Sequence, residues 1–254
     1  MRSAMRKWPA IAAIALGLSL VWTGAARASE LKLLSSGALK ETLQDLLPQF
    51  EQASGHKVAL ALTGTAGIVS RMQKGEAADL VILADYALAQ LTKEGKVVDG
   101  SRADLARAGV GIAIKAGAPK PDVGSAEALK RTLLAAKSIA HSRGPSGIYL
   151  TGLFQRLGIA DEIKARVKPV EGEPIGNVVA RGDAEIGFQQ ISELLHVAGV
   201  DYLGPLPPEV QHMTVFCLGL SANAREPEAA KALVRFLTGP AALPVLKKHG
   251  LEPG

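Results

Sequence analysis

Short apolar segments alternate with segments of helical pattern, and this alternation constrains the fold more than any other feature. Seven strands are predicted, at Leu31–Leu34, Lys57–Leu62, Asp79–Leu83, Val110–Lys115, Ser138–His141, Glu185–Gln189 and Met213–Leu220. The first helical pattern places five apolar residues on one face: Leu39, Leu43, Leu46, Leu47 and Phe50. Pro48 predicts a kink or break in this helix. Further helices are predicted at Gly67–Lys74, Tyr86–Lys93, Ala126–Lys137, Gly147–Leu157 and Asn177–Arg181, and two more close the chain. Strands regularly separated by helices form parallel sheets covered on both faces, so an α/β fold is predicted.

The N-terminal segment predicts export. Three cationic residues, Arg2, Arg6 and Lys7, precede an apolar run over Pro9–Trp22, and Ala26-Arg27-Ala28 follows. This is the pattern of a secretory signal peptide, and the apolar run is shorter than the roughly 20 residues that span a bilayer. Cleavage after Ala28 would release a periplasmic protein. An N-terminal membrane anchor is the alternative interpretation.

Removing this leader changes the composition. The formal charge falls from +5 to +1 without the leader's four cationic residues, so the pI of about 9.3 does not argue for nucleic-acid binding. Trp8 and Trp22 are lost too, which disfavours a carbohydrate ligand, since sugar rings usually stack on aromatic faces. Cys217 is the single cysteine, so no internal disulfide forms. Its apolar surroundings favour a buried, inert thiol.

Three predicted strand-to-helix turns are rich in small and hydroxyl-bearing residues: Ser35–Ala38, Thr63–Gly67 and Ser142–Gly147. Free N–H groups and the positive dipole end at such helix starts favour anions. In open parallel sheets these turns lie where ligands bind. Helix capping alone explains any single turn more readily, but three turns together indicate an anion site. Arg143 adds a full positive charge able to pair with a carboxylate or oxyanion.

Five segments in chain order form a pattern found in one known family. They are Leu31–Phe50, Arg71–Asp85, Pro145–Tyr149, Gly182–Gly187 and Phe236–Pro240. In this pattern the chain resembles the periplasmic molybdate-binding proteins of ABC uptake systems and their relatives. The resemblance implies an α/β, two-lobed periplasmic binding protein fold of type II. The ligand cleft would lie between the lobes, and two or three crossing strands would serve as a hinge.

The chain order indicates where the lobes divide. After a full set of α/β units, the strong apolar strand Met213–Leu220 returns and two helices follow it. We therefore expect residues 29–105 plus 215–254 in the first lobe and residues 106–214 in the second. The resemblance implies a monomeric protein that captures a small anion for an ABC-type membrane permease. Neither a metal nor another cofactor is expected.

The family's ligand residues match this chain only in part. Thr65 keeps a hydroxyl and Ser146 a backbone donor, but Ala38 stands where the family has a serine, and Gln190 where it has a tyrosine. Amides donate and accept, so Gln189, Gln190 and Arg143 suit an organic carboxylate better than molybdate. The candidate ligand-binding residues are Ser36, Gly37, Thr65, Ala66, Arg143, Ser146 and Gln190. Ser35 is a further candidate that should contribute less to binding.

An enzyme is the alternative function, because the same relatives include aconitate isomerase. That enzyme interconverts cis- and trans-aconitate by proton transfer, which needs a general base. His141, ahead of the third turn, and Glu171 are the candidate bases. In the non-catalytic interpretation, His141 is a residue at a strand end whose ring forms a hydrogen bond with the backbone. Glu171 is then a solvated charge on a loop. No metal-ligand cluster, nucleophile-plus-base spacing or nucleotide-binding motif occurs in the sequence, which favours the binding protein.

Overall fold

The computed structural model describes residues 28–254. The predicted signal peptide, apart from Ala28, therefore lies outside the described residues. Among those described, no single helix is long and apolar enough to cross a membrane. One bent pair of helices, Pro227–Leu237 and Ala242–Lys248, has the length and apolar composition of a membrane span only when the two helices are counted together.

Strands and helices alternate through the described chain, as the sequence predicts. The strands are β1 (Glu30–Ser36), β2 (Lys57–Thr63), β3 (Leu80–Ala84), β4 (Ala103–Lys115), β5 (Ile139–Ser142), β6 (Val167–Val170), β7 (Ile186–Gln190), β8 (Val200–Pro205), β9 (Met213–Leu220) and β10 (Glu252–Pro253). The helices are α1 (Lys40–Ser54), α2 (Thr65–Gln73), α3 (Asp85–Lys93), α4 (Ala126–Ala135), α5 (Pro145–Arg156), α6 (Ala160–Ile163), α7 (Ile175–Arg181), α8 (Ile191–Leu194), α9 (Pro227–Leu237) and α10 (Ala242–Lys248). Single 3-10 turns cover Gly37–Leu39, Lys164–Arg166 and Pro208–Val210.

The strands join in the order β2-β1-β3-β9-β4-β7-β5-β6, and β8 and β10 also pair with β4. The outer strands pair in parallel: β1 with β2 and β3, and β5 with β6 and β7. At the centre, however, β9 runs antiparallel to β3 and β4, and β4 runs antiparallel to β7. The expectation of purely parallel sheets is therefore wrong at the centre, because two long strands return across the molecule there.

Strand β4 joins the two halves of the sheet. Its first part, Ala103–Gly109, pairs with β9, and its second part, beginning at Val110, pairs with β7 and β8. We call β1–β3, β9 and β10 with their helices the first half, and β5–β8 with theirs the second half. Only Val110–Lys115 of this strand was predicted, because Asp104 and Arg107 interrupt the apolar pattern before it.

Each half encloses its own apolar cores. In the first half, α1, α9 and α10 cover one sheet face around Leu43 and Phe216, and α2 and α3 cover the other around Ile68. In the second half, α4 and α5 pack around Phe188, and α7 packs on the opposite face. Every residue of the predicted apolar face of α1 is buried.

Helix α1 runs past Pro48 to Ser54, so the break proposed there does not occur. Pro48 is exposed, and its ring meets solvent rather than the packed face. Strands β6 and β8 were missed by sequence because Lys168 and Pro169 in β6, and Asp201 and Gly204 in β8, weaken their apolar patterns.

The single cysteine lies where the sequence predicts. Cys217 is fully buried in β9, and its thiol donates to an oxygen of Asp104 at 3.2 Å. Burial raises the pKa of this thiol to about 12, so the inert protonated form dominates.

Candidate functional site

Two of the three hydroxyl-rich turns lie side by side in the first half. Strand β1 pairs in parallel with β2 so that Ser36 is opposite Thr63, and both strands end there. The third turn follows β5 in the second half. A cavity of about 290 Å³ lies between the second and third turns. It is lined by Thr65 and Ala66 from the first half and by Arg143, Gly144 and Ile148 from the second. The fold therefore brings the starts of α2 and α5 to one cleft.

Thr65 is the first residue of α2. Its side chain is buried, and its hydroxyl has no hydrogen-bond partner among the described residues. Gly64 precedes it and offers no side chain to cap the helix. The first N–H groups of a helix have no partner within the helix, so this end carries unused donors beside an unused hydroxyl. Such a cluster is the arrangement expected of an anion-binding position.

The third turn is held by its own hydroxyls. The oxygen of the Ser142 side chain accepts from the N–H of Gly144 at 3.2 Å and lies 3.1 Å from the Ser146 hydroxyl. Ile148 makes the first intrahelical bond of α5, to Gly144. The N–H groups of Ser146 and Gly147 come before that bond and have no partner within the helix. Ser146 itself is buried, so the turn is preformed.

Gly147 is required by the packing of this turn. A Cβ at this position would lie 1.6 Å from the carbonyl oxygen of Ser142 and 2.6 Å from Nδ1 of His141. Only glycine lets α5 begin this close to the end of β5.

Arg143 and Glu171 face each other at the rim of the cleft. The guanidinium Nε lies 3.8 Å from a carboxylate oxygen of Glu171, and the two side chains are 63% and 76% exposed. An exposed pair of this kind contributes little to stability, so Arg143 is free to turn toward a ligand. The exposure of Glu171 fits a solvated charge better than a base that needs a dry site.

His141 is a buried neighbour of the turn. Its Nδ1–H donates to the carbonyl oxygen of Ser142 at 2.8 Å, and its ring lies beside Phe154. Burial lowers the pKa of this imidazole, opposing the effect of the backbone bond, and Arg143 lowers it further. The geometry matches the backbone-bonded strand end that the sequence offered as an alternative.

Gln190 is committed to the connection between the two halves. In the orientation that satisfies all its partners, its amide nitrogen donates to the carbonyls of Ala108 and Gly109, each at 3.1 Å, and its oxygen accepts from Thr214 at 2.9 Å. Its side chain is buried. The amide thus ties β7 to β4 and β9 where these strands cross.

Gln189 leads to a group that sequence reasoning missed. Its oxygen accepts from the N–H of Ile175 at 2.7 Å, and its nitrogen donates to Oε1 of Glu193 at 2.8 Å. A Cβ added to Gly37 would lie 3.1 Å from the same Oε1 atom, so Glu193 of the second half lies against the first turn. Burial raises the pKa of the Glu193 carboxyl to about 7, and the Gln189 bond only partly offsets this. The available signal was an acidic residue three positions after a predicted ligand residue, between Ile191 and Leu194.

Ser36 and Gly37 form the remaining turn. The Ser36 hydroxyl accepts from the N–H of Ala38 at 3.4 Å, a weak cap that leaves it available to a ligand. Ser35 is fully buried, and its hydroxyl donates to the Ser36 carbonyl at 3.2 Å. Neither residue lines the 290 Å³ cavity, which lies nearer the second turn.

A second cavity, of about 300 Å³, widens the same cleft. Tyr86 and Ile148 line both cavities, and Tyr149 and His212 line only the second. The rings of Tyr149 and His212 stack at 4.5 Å. The cleft is therefore large enough for an organic molecule. Within residues 28–254, no group of three or more His, Cys, Asp or Glu side chains is placed to hold a metal ion.

Comparisons with known proteins bear on the fold and on the family. A family model described as bacterial extracellular solute-binding protein matches residues 31–252. An aconitate isomerase from a Pseudomonas species is 36% identical over 256 residues, covering 97% of this chain and 98% of that protein. The molybdate-binding protein ModA of Azotobacter vinelandii is 30% identical, covering 93% of this chain and 95% of that protein.

The solved structure of the periplasmic molybdate-binding protein of Azotobacter vinelandii has the same fold. It superposes with a TM-score of 0.74 at 22% identity, covering 88% of this chain and 99% of that one. The predicted two-lobed α/β fold is thereby confirmed.

Proposed function

We propose that this chain, which belongs to the family of bacterial extracellular solute-binding proteins, captures a small organic carboxylate between its two halves and delivers it to an ABC-type permease. The two halves act as the lobes, divided near residues 105 and 215 as the sequence predicts. The protein works as a periplasmic monomer after cleavage behind Ala28. Mass spectrometry of the exported protein tests this, since a chain that still begins at Met1 would contradict it.

One observation carries the proposal: helix starts from opposite halves line a single cavity that also contains a buried hydroxyl with no hydrogen-bond partner in the part of the chain that the structure describes. Thr65 supplies that hydroxyl, and Arg143 supplies a positive charge on the opposite wall. A buried hydroxyl without a partner costs stability, which a bound anion would relieve. Closure of the halves would surround the anion with charge-assisted hydrogen bonds.

The cleft favours a carboxylate over molybdate. Ala38 lacks the hydroxyl of the molybdate-binding family, and Glu193 adds a carboxyl at the same turn. A protonated Glu193 can donate a hydrogen bond to a ligand carboxylate. The space on both sides of Tyr86 and Ile148 also exceeds what a tetrahedral oxyanion needs.

Calorimetry tests the ligand class with di- and tricarboxylates, molybdate, tungstate and sulfate. A charged hydrogen bond in a closed site contributes about 1.5–3 kcal/mol, so Arg143→Ala should weaken carboxylate binding at least about tenfold. Arg131→Ala is the matched control, because Arg131 is a 68% exposed residue on α4 whose nearest carboxylate is 3.9 Å away. Tight molybdate binding that survives Arg143→Ala would refute both the ligand class and the role of Arg143.

A second candidate function is isomerisation of a tricarboxylate such as aconitate. It is favoured by the 36% identity to an aconitate isomerase over 97% of this chain, together with the Glu193 carboxyl group beside the first turn, whose pKa is raised to about 7. Incubation of the purified protein with cis- and trans-aconitate, followed by NMR, tests it directly. A binding protein without this activity would leave both compounds unchanged.

A further inference from the structure

We propose that Glu193 is the proton-transfer residue of the cleft, removing a proton from one carbon of a bound unsaturated carboxylic acid and returning it to another. The inference rests on the second candidate function, isomerisation. It assigns the base to a residue other than the two the sequence suggested.

The position of Glu193 is set by both halves of the molecule. It lies on α8, directly after β7, so the second half carries it. Its Oε1 atom reaches the first turn of the other half, where Gly37 leaves room because it has no side chain. Glu193 is partly exposed as a whole residue but lines neither cavity, so a ligand must extend from the cavities to the first turn to meet it. The other candidate bases fit less well, since His141 is committed to a backbone carbonyl and Glu171 is at the exposed rim.

Gln189 orients the carboxyl group. Its amide nitrogen donates to Oε1 of Glu193, and its amide oxygen is fixed by the N–H of Ile175 at the start of α7. This leaves Oε2 of Glu193 without a hydrogen-bond partner among the described residues. One oxygen is therefore positioned and the other is free to take a proton.

No cationic side chain among the described residues stabilises the ionised form of Glu193. Strand β7 offers the neutral Gln189, the 3-10 turn at Gly37–Leu39 has no ionisable side chain, and no lysine or arginine of β4 or α7 contributes to its titration. Burial alone raises the pKa of this carboxyl to about 7, so both protonation states are accessible at neutral pH. This is the property a general base needs if it must also return the proton.

The chemistry requires no further reactant. The Glu193 carboxylate takes a proton from a CH₂ group that stands between a carboxylate and a carbon–carbon double bond. The C–H electron pair shifts into the allylic system, and the negative charge spreads onto carboxylate oxygens near Arg143 and the helix starts. The protonated Glu193 then returns the proton to the far allylic carbon, and the double bond has moved with no net change in atoms or electrons.

The experiment compares the wild-type protein with Glu193→Gln, Glu193→Asp and Glu228→Gln. Glu228 is an 81% exposed residue on α9 that pairs with Lys231, so its replacement is the matched control. Interconversion of cis- and trans-aconitate is followed by NMR in D₂O, which also reports exchange of the CH₂ protons. Calorimetry with the same acids measures binding separately, and circular dichroism checks folding.

Wild-type protein should interconvert the two acids, and Glu193→Gln should lower kcat by at least about 100-fold, the usual contribution of a general base, while Kd changes less than about threefold. Glu193→Asp should retain part of the activity and of the exchange, and this also decides the case if Glu193→Gln does not fold. An active wild type with an equally active Glu193→Gln would overturn the role of Glu193 but leave the isomerase function standing. A wild type that binds these acids without exchange or interconversion would overturn both, leaving only the binding function.

Discussion

At the scale of single residues, the cleft depends on side chains that are absent as much as on those present. Gly37 makes room for the Glu193 carboxyl, and Gly147 lets α5 start against the end of β5. Ala38 has no hydroxyl, whereas the molybdate-binding proteins that this chain resembles have a serine at this position. Small residues at these turns therefore decide which polar groups lie beside them.

Gly147→Ala should destabilise the protein strongly, because the new methyl group would overlap the carbonyl of Ser142 and the ring of His141. We expect the free energy of unfolding to fall by about 3 kcal/mol or more, as at other overpacked or strained positions. Urea denaturation measures it. Gly152→Ala on the same helix is the control, since its Cβ would meet only the end of the Arg156 side chain at 3.3 Å. That change should be neutral or stabilising by up to about 1 kcal/mol; similar losses from both variants would contradict the packing argument.

Glu193 should also make stability depend on pH. Its pKa is raised from 4.5 to about 7 in the folded state, so folding favours its protonated form. Its contribution is therefore complete below about pH 4.5 and is lost as pH rises through about 7. Glu193→Gln removes this loss, so the free energy of unfolding of the variant relative to wild type should rise by about 1–3 kcal/mol between pH 5 and pH 8. Denaturation at the two pH values measures the difference. In Glu228→Gln, where the ion pair with Lys231 lowers the pKa of the native carboxyl, no such rise is expected.

At the scale of elements, a few buried polar groups fix where helices and strands meet. Asp79, just before β3, is an example: its carboxylate accepts from the N–H of Lys32 in β1 at 2.8 Å and from those of Arg225 and Glu226 before α9 at 2.7 and 3.0 Å. One side chain thus joins the first strand to the return of the chain into the first half.

Asp79→Ala should lower the free energy of unfolding by about 3 kcal/mol or more, because three backbone N–H groups would lose a charged acceptor. Asp79→Asn keeps one acceptor oxygen and should lose about half as much. Thermal or urea unfolding of the two variants measures this. Equal stability of wild type and Asp79→Ala would show that these N–H groups find other partners.

At the scale of the whole molecule, the crossing between the halves is the feature that joins them into one sheet. Strand β4 passes from one half to the other between Gly109 and Val110, and Gln190 ties this point to β7 and β9. A buried amide that satisfies groups on three strands holds the crossing in one arrangement.

Gln190→Ala should therefore act on stability more than on ligand contacts. Two buried carbonyls and the Thr214 hydroxyl would lose their partner, which we expect to lower the free energy of unfolding by about 2–4 kcal/mol. Denaturation and carboxylate calorimetry on the same variant separate the two effects. Weaker carboxylate binding with unchanged stability would instead show that Gln190 contacts the ligand, as the sequence suggests.

The sequence by itself determined the alternating α/β order, the apolar face of α1, the buried cysteine and the three hydroxyl-rich turns at strand ends. These features depend on local patterns: apolar period, and small or hydroxyl-bearing residues at strand ends. Only the tertiary structure decided the antiparallel centre of the sheet, the use of Gln190 at the crossing and the position of Glu193. Each of these depends on which distant segments meet: Glu193 and Gly37 are far apart in the chain, and the burial that raises the carboxyl's pKa exists only in the folded protein.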